Sequence, residues 1–207
     1  LFGNESEIPN QLDIKSVKNK LWPIFTNPNI TKVGHNIKYD MHILANAGWD
    51  IYSITPIDDT MLLSYILHGT LHGHGLDELA LKYLSHTNIT FASLFAPNVR
   101  DTERHFETLD INVATPYAAE DATVCFALYN LMRPQLDKNE KLRALYEQCD
   151  ISLLPILVKI ERNGVLVNRV QLQNLSSVFH NQLEKLQSEI WDLAGHEFND
   201  ASPKQLS

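Results

Sequence analysis

The chain has 207 residues, 44% hydrophobic and 20% charged, with 17 Lys and Arg against 25 Asp and Glu for a formal charge of −8. That is enough apolar material for one domain plus a piece of another, while no apolar run approaches the ~20 residues of a membrane span and no secretory signal is legible, as in a soluble intracellular protein. Cys125 and Cys149 are the only cysteines and have no CxxC or His partner at ligand spacing, which argues against a disulfide framework or a zinc site.

In chain order, residues 1–10 are polar and read as a connecting loop, and both ends read as cut. Leu12, Val17, Leu21 and Phe25 then repeat at helical spacing up to Asn27-Pro28. A short apolar strand is expected at 32–37, leading into a helix with Ile43, Leu44 and Ala47 on one face. Asp40 falls just past the strand end, where the commonest role of an Asp is a helix cap. A second strand is expected near 54–57, after which Asp58 and Asp59 read as a cap and its neighbour for a helix through Leu67. His68, His72 and His74 crowd the next loop, without a Cys or acid at ligand spacing to make a metal site.

Asp101-Thr102-Glu103, flanked by Arg100, Arg104 and His105, reads as a surface loop. Thr115 as a cap and Pro116 as first helical residue predict a helix opening there and running through Val124, Leu128 and Leu131, with Cys125 in its core face. Tyr117 and Asp121, four apart, then share one face near the helix start. Taken alone, that is also what a surface helix with acids suited to its dipole looks like. From about residue 138 the chain reads as a helical bridge, with Ile151, Leu154, Leu157, Val158 and Ile160 suited to a buried helix. Asn163-Gly164 signals a small hairpin or tight turn. Leu175, Val178, Phe179, Leu183, Leu186 and Ile190 then give a long helix over 172–193 with one apolar stripe, the usual mark of core packing.

Two constellations stand out together: Asn36-x-x-Tyr39-Asp40 at a strand-to-helix turn, and Tyr117-x-x-x-Asp121 about 80 residues later. The pair resembles the second and third exonuclease motifs of the bacterial DNA polymerase I family. The stretches from Asp59 to Leu67 and from Gly75 to Ala80 resemble the family's intervening helices, and Ile160-Glu161-Arg162-Asn163-Gly164-Val165 its entry into the polymerase domain. The resemblance implies an α/β chain: a partial ribonuclease-H-like exonuclease fold over 1–137, its first strands lying before Leu1, followed over 138–207 by the helical start of the polymerase thumb. It implies metal-dependent 3′→5′ proofreading of DNA attached to template-directed synthesis.

By the same resemblance Asp40 and Asp121 are two of four acidic ligands for a pair of Mg²⁺ or Mn²⁺ ions, the other two being an upstream Asp-x-Glu that the 207 residues lack. Asp101-Thr102-Glu103 has the right letters but follows the second motif instead of preceding it. Tyr117 would hydrogen-bond the attacking water, Asn36 and Tyr39 would position substrate, and Phe91 would stack on a terminal base; for Phe91 an ordinary core aromatic is an equal reading. The implied partners are a single-stranded 3′ end of DNA and the remainder of a polymerase chain, in a monomer of the bacterial cytoplasm associated with the nucleoid. The chain departs from the family pattern at His35, where many members carry Gln, and at Gly73-His74, where many carry Arg-His, which puts one phosphate contact in doubt.

Charge distribution bears on the partner. Residues 1–137 hold 9 Lys and Arg against 16 Asp and Glu, and residues 138–207 hold 8 against 9. Tight duplex binding runs on Lys and Arg displacing counterions, so the first part is not built to grip a duplex by charge. Two other readings compete with a working exonuclease: a structural spacer of the same fold whose site has decayed, and an unrelated helical binding module. Intact Asp40, Tyr117 and Asp121 favour the enzyme.

Overall fold

A computed structural model describes residues 12–199, 201 and 202. The loop read at 1–10 lies outside the described residues, and so do Asp200 and Pro203 of the helix start read at 200–203. The chain divides into two compact units, Leu1–Asn163 and Gly164–Ser207.

In the first unit Asp13 caps helix α1 (Ile14–Phe25) by accepting from the Ser16 amide at 2.8 Å. The apolar end of α1 places Trp22 and Phe25 against Trp49, with ring centroids 5.8 and 5.3 Å apart. Strands β1 (Lys32–Gly34) and β2 (Ile57–Asp59) pair in parallel with Lys32 opposite Ile57 and Gly34 opposite Asp59. Helix α2 (Ile37–Asn46) and a 3₁₀ turn at Ile51–Ser53 make the crossover that a parallel pair requires. Both strands are shorter than the sequence suggested. Asn36 adopts a left-handed conformation (φ 57°), which ends β1 before it reaches Ile37, and Ile54 is buried in the core ahead of β2.

Gly34 closes the β1–α2 turn, and a Cβ there would stand 2.8 Å from Cβ of Ile37, so the close approach requires glycine. Lys32, only 8% exposed, is held by three carbonyls: those of Asn27, Ile30 and Thr55 accept from its ammonium at 3.0, 2.7 and 2.6 Å. Burial still pulls its pKa below the usual lysine value.

Helix α3 (Thr60–His68) follows β2 directly, and α4 (Leu76–Leu79) widens into a π turn at Ala80–Leu84. Three 3₁₀ turns, Phe91–Leu94, Asp101–Glu103 and Phe106–Thr108, lead to the long α5 (Ile111–Asp137). Helix α5 opens earlier than expected: Asp110 is its cap, accepting from the Asn112 amide at 2.7 Å, and Pro116 is the sixth helical residue. Thr115 does not cap but turns its hydroxyl back onto the Ile111 carbonyl at 2.6 Å. Pro116 costs one backbone bond, which the extra turn and the packed apolar face beyond it outweigh.

Beyond α5, helix α6 (Glu140–Leu145), a π turn at Tyr146–Asp150 and helix α7 (Ile151–Asn163) fold back into the same unit. One core joins Leu63, Leu79, Val124, Leu128, Met132, Leu136 and the fully buried Tyr146. A second joins Met41, Ile51, Ile54 and Val158. At the surface, Glu161 of α7 meets Lys38 and His42 of α2, the latter at 2.8 Å.

The Asn163-Gly164 signal marks a helix end and not a hairpin: α7 runs to Asn163, Gly164 takes φ 72°, and among the described residues no strand follows. In the second unit Asn168 caps α8 (Arg169–Ala194) and Gly195 (φ 75°) closes it. Its expected apolar stripe is present and open within that unit, with Phe179 53% and Leu183 66% exposed. The whole is α/β with helices predominating, and among the described residues no helix is long and apolar enough to cross a membrane.

Candidate functional site

A cleft of about 670 Å³ opens along β1 and α5, lined by Thr31, Val33, Gly34 and His35 from the strand side, Asp40 from α2, Leu76 from α4, and Ala118, Asp121, Ala122, Cys125 and Phe126 from α5. The short side chains of Ala118 and Ala122, on either side of Asp121, keep it open.

Asp40 lies in the first turn of α2, not at its cap; the cap position belongs to Asn36, whose side chain makes no capping bond. What holds this turn is Asp59, only 2% exposed, whose carboxylate accepts from the amides of Asn36 at 3.2 Å and Ile37 at 2.7 Å. The same carboxylate caps α3 through the amides of Met61 at 2.8 Å and Leu62 at 3.3 Å. The cap of α3 was legible in the sequence; the second duty of Asp59, reaching back to residues 36 and 37, was not. The tilt of α2, and so the aim of Asp40, depends on it.

Asp40 faces solvent along the cleft, yet the protein around it raises its carboxyl above the usual carboxylate range by desolvation, and the charge of Asp59 adds to the rise. Asp121 is raised by burial first and then by the charges of Asp77 and Glu120. Among the described residues neither carboxylate has a basic partner. Two acids held in partly desolvated positions without a counter-ion form an oxygen donor set that suits a hard divalent cation. It is only part of a site: among the described residues no group of three or more His, Cys, Asp or Glu side chains is disposed to hold a metal ion.

Tyr117 lies one turn before Asp121 on α5 and is half-buried. Burial raises its phenol pKa, with the charge of Asp121 next in effect, so the hydroxyl keeps its proton at neutral pH. Its ring stands 6.4 Å from Phe91 and 6.0 Å from Phe106, and Phe95 backs Phe91 at 5.2 Å. Phe91 is 39% exposed, an aromatic at the surface beside Tyr117 and not a core residue. Asn36 is exposed and Tyr39 is 65% exposed, both at the start of α2.

Asp101 and Glu103 are spent elsewhere: they pair with Arg104 and Arg100 on an exposed 3₁₀ turn. The histidine loop is wired by hydrogen bonds. His72 Nδ1 faces the Gly73 carbonyl at 2.5 Å and Nε2 the Tyr83 hydroxyl at 2.9 Å; His74 Nε2 faces the Gly69 carbonyl at 2.8 Å and Nδ1 the Ser64 hydroxyl at 2.8 Å. A nitrogen facing a carbonyl donates, and the other nitrogen of each ring is taken up by a hydroxyl, so all four ring nitrogens of His72 and His74 already have partners in the protein. His35 turns Nδ1 to the Thr60 hydroxyl at 2.8 Å, and burial holds it below the usual histidine range.

Residues 2–137 match the family model described as 3′-5′ exonuclease. The chain is 39% identical over 199 residues to the DNA polymerase I of Pseudomonas aeruginosa, covering 96% of this chain and 22% of that one. It is 36% identical over 197 residues to the DNA polymerase I of Rhizobium leguminosarum, covering 95% and 19%. The chain thus spans about a fifth of the length of these relatives. Among solved structures it resembles the POL domain of Pol1 from M. smegmatis in complex with DNA primer-template and dNTP, with TM-score 0.61, 23% identity, and coverage of 95% of this chain and 30% of that one. It also resembles Brucella melitensis NrnC bound to pGG, with TM-score 0.54, 21% identity, and coverage of 70% and 64%. At those identities the two structures speak for the fold alone.

Proposed function

Because the chain belongs to the 3′-5′ exonuclease family of bacterial DNA polymerase I, we propose that it carries half of a metal-dependent proofreading site, serving a bacterial polymerase of the cytoplasm and nucleoid whose other parts lie outside these residues. The observation that carries the reading is the shared cleft. Asp40, from the first turn of α2, and Asp121, from α5, line it together, neither with a basic partner among the described residues, and Asp121 stands one helical turn from a phenol packed beside an exposed phenylalanine.

Asp40 and Asp121 would hold Mg²⁺ or Mn²⁺ with two further acids supplied by the rest of the polymerase. When bound, such ions supply charge stabilisation at the attacking and leaving oxygens of a phosphodiester. The chain's own residues do the positioning. Tyr117, protonated at neutral pH, hydrogen-bonds the attacking water and fixes its direction. Phe91 stacks on the terminal base, a contact available to any base and only once it is unpaired. Asn36 and Tyr39, exposed at the start of α2, meet the nucleotides behind it. An acidic surface suits this task, since a frayed single-stranded end is selected by stacking and metal contact, not by a basic groove.

The test is exonuclease activity on a labelled single strand by the whole polymerase carrying substitutions here. Asp121→Ala removes a ligand no neighbour replaces and is expected to lower the rate at least ~10³-fold, several kcal/mol at ~1.4 kcal/mol per decade. Tyr117→Phe, which removes one hydrogen bond, is expected to cost roughly 10- to 10²-fold. Asp121→Ala within threefold of the parent would establish the decayed spacer instead.

A further inference from the structure

Glu120 lies between Tyr117 and Asp121 in sequence, yet both its oxygens are bound to the segment that precedes Phe91: Oε2 accepts from the Ile89 amide at 2.6 Å and Oε1 meets His86 Nε2 at 2.8 Å. Residues 87–90 have no regular secondary structure, so side chains must hold them in place. A third anchor comes from Asn88, 6% exposed, whose amide donates to Asp77 Oδ1 at 2.9 Å. Immediately beyond these anchors, the Thr90 hydroxyl accepts from the Ser93 amide at 3.3 Å and starts the 3₁₀ turn whose first residue is Phe91. Apart from the His86 amide on the Ala80 carbonyl at 3.2 Å, the segment before Phe91 is held by three side-chain ties, and the two that reach α5, where Tyr117 stands, both end on Glu120.

We propose that Glu120 is a positioning residue: it clamps residues 86–89 to α5 and so fixes the wall on which a terminal base stacks, without touching the base or the reacting atoms. The proposal rests on the stacking role of Phe91 given above. Glu120, although it is the acid beside Asp121, turns its oxygens to donors on this segment and is not among the residues lining the cleft that Asp40 and Asp121 share. Losing the carboxylate frees the Ile89 amide and the His86 ring together and leaves the segment on the Asn88 side chain and, further from Phe91, the His86 amide on the Ala80 carbonyl at 3.2 Å. Phe91 then has many orientations, and binding a terminal base must first select one.

The test uses the whole polymerase and a single-stranded oligonucleotide with 2-aminopurine at its 3′ end. Quenching in Ca²⁺ reads stacking, and steady-state cleavage in Mg²⁺ reads KM and kcat. Glu120→Ala is expected to raise KM and the oligonucleotide Kd about 5- to 20-fold with loss of the quench, kcat staying within about threefold. Glu120→Gln keeps an oxygen for the Ile89 amide and is expected to restore most of the binding. Phe91→Ala is expected to match Glu120→Ala, and the double substitution to be no worse than Phe91→Ala alone, as for two residues acting through one wall. Losses that multiply in the double variant, or a fall in kcat at constant KM, overturn the positioning role. Phe91→Ala weakened with Glu120→Ala unchanged overturns this proposal only. Phe91→Ala without effect overturns the stacking reading and the proposal with it.

Discussion

Asp59 is the residue on which the site's geometry turns. A carboxylate that is 2% exposed and has no ion-pair partner among the described residues is tolerated because it accepts four backbone amides from the starts of two helices, α2 and α3, where unpaired N–H groups and the helix dipoles favour negative charge. Asp59→Ala strands those amides in a buried setting. It is expected to cost about 3 kcal/mol in equilibrium urea unfolding of the 207-residue chain, a cap loss plus hydrogen bonds to a charged group. A loss under about 1 kcal/mol would mean that the amides find other partners. The local half of this arrangement was legible, since an Asp before an apolar run is a cap signal. The other half joins residues more than twenty apart in sequence, and no local pattern carries it. The same limit applies to Glu120: its sequence neighbours suggest the metal site, and only its long-range partners reveal a clamp.

At the scale of elements, β2, α5 and the turn after α6 converge on Asp58. The Tyr146 hydroxyl donates to one of its oxygens at 2.9 Å while accepting from the Asp59 amide at 3.1 Å; the Tyr129 hydroxyl donates to the other at 3.0 Å. Arg133 approaches at 3.3 Å and also binds Asp137 at 3.1 Å and Glu147 at 2.6 Å. Burial, and then the charge of Asp58, push the Tyr129 phenol up to about 12 from its ordinary 10, and burial moves Tyr146 further in the same direction.

Unfolded phenols release their protons near pH 10, while these two keep theirs in the fold. Between pH 10 and 12 the folded state therefore binds more protons, and stability present below pH 10 is lost as pH rises. Unfolding followed by circular dichroism is expected to lose on the order of 2 kcal/mol across that window through Tyr129, a loss that Tyr129→Phe should shrink. An equal loss in the Tyr129→Phe variant would remove Tyr129 as its source. Helix periodicity announced α5 and α7, but their ends were less legible: Pro116 suggested a helix start, whereas Asp110 captured the cap one turn earlier. Asn163-Gly164 suggested a small hairpin or a tight turn; it closes α7, and among the described residues no strand follows to make a hairpin.

At the scale of the whole chain, membership of the exonuclease family was readable because the pattern of Asn36, Tyr39 and Asp40 followed by Tyr117 and Asp121 resembles the family's motifs in order and spacing, and the match over residues 2–137 bears the family out. The packing of residues 140–163 into the first unit was not readable, since it depends on Tyr146 and Val158 filling two separate cores. The donor set also sets an expectation for the chain by itself. Two carboxylates do not make a two-metal clamp, so purified 207-residue chain is expected to leave a labelled single strand intact in Mg²⁺ above background. Rapid shortening from the 3′ end would require a ligand outside the two proposed, with Asp101 and Glu103 first to be tested.

The central claim is that Asp40 and Asp121 serve one metal centre, and the most direct measurement is anomalous diffraction from crystals of the whole polymerase soaked in Mn²⁺. The account predicts Mn²⁺ density in the cleft within coordinating distance of both side chains, their carboxylates on the order of 4–8 Å apart, as two ions ~4 Å apart require. Carboxylates more than about 12 Å apart, or Mn²⁺ bound elsewhere with the cleft empty, would contradict it.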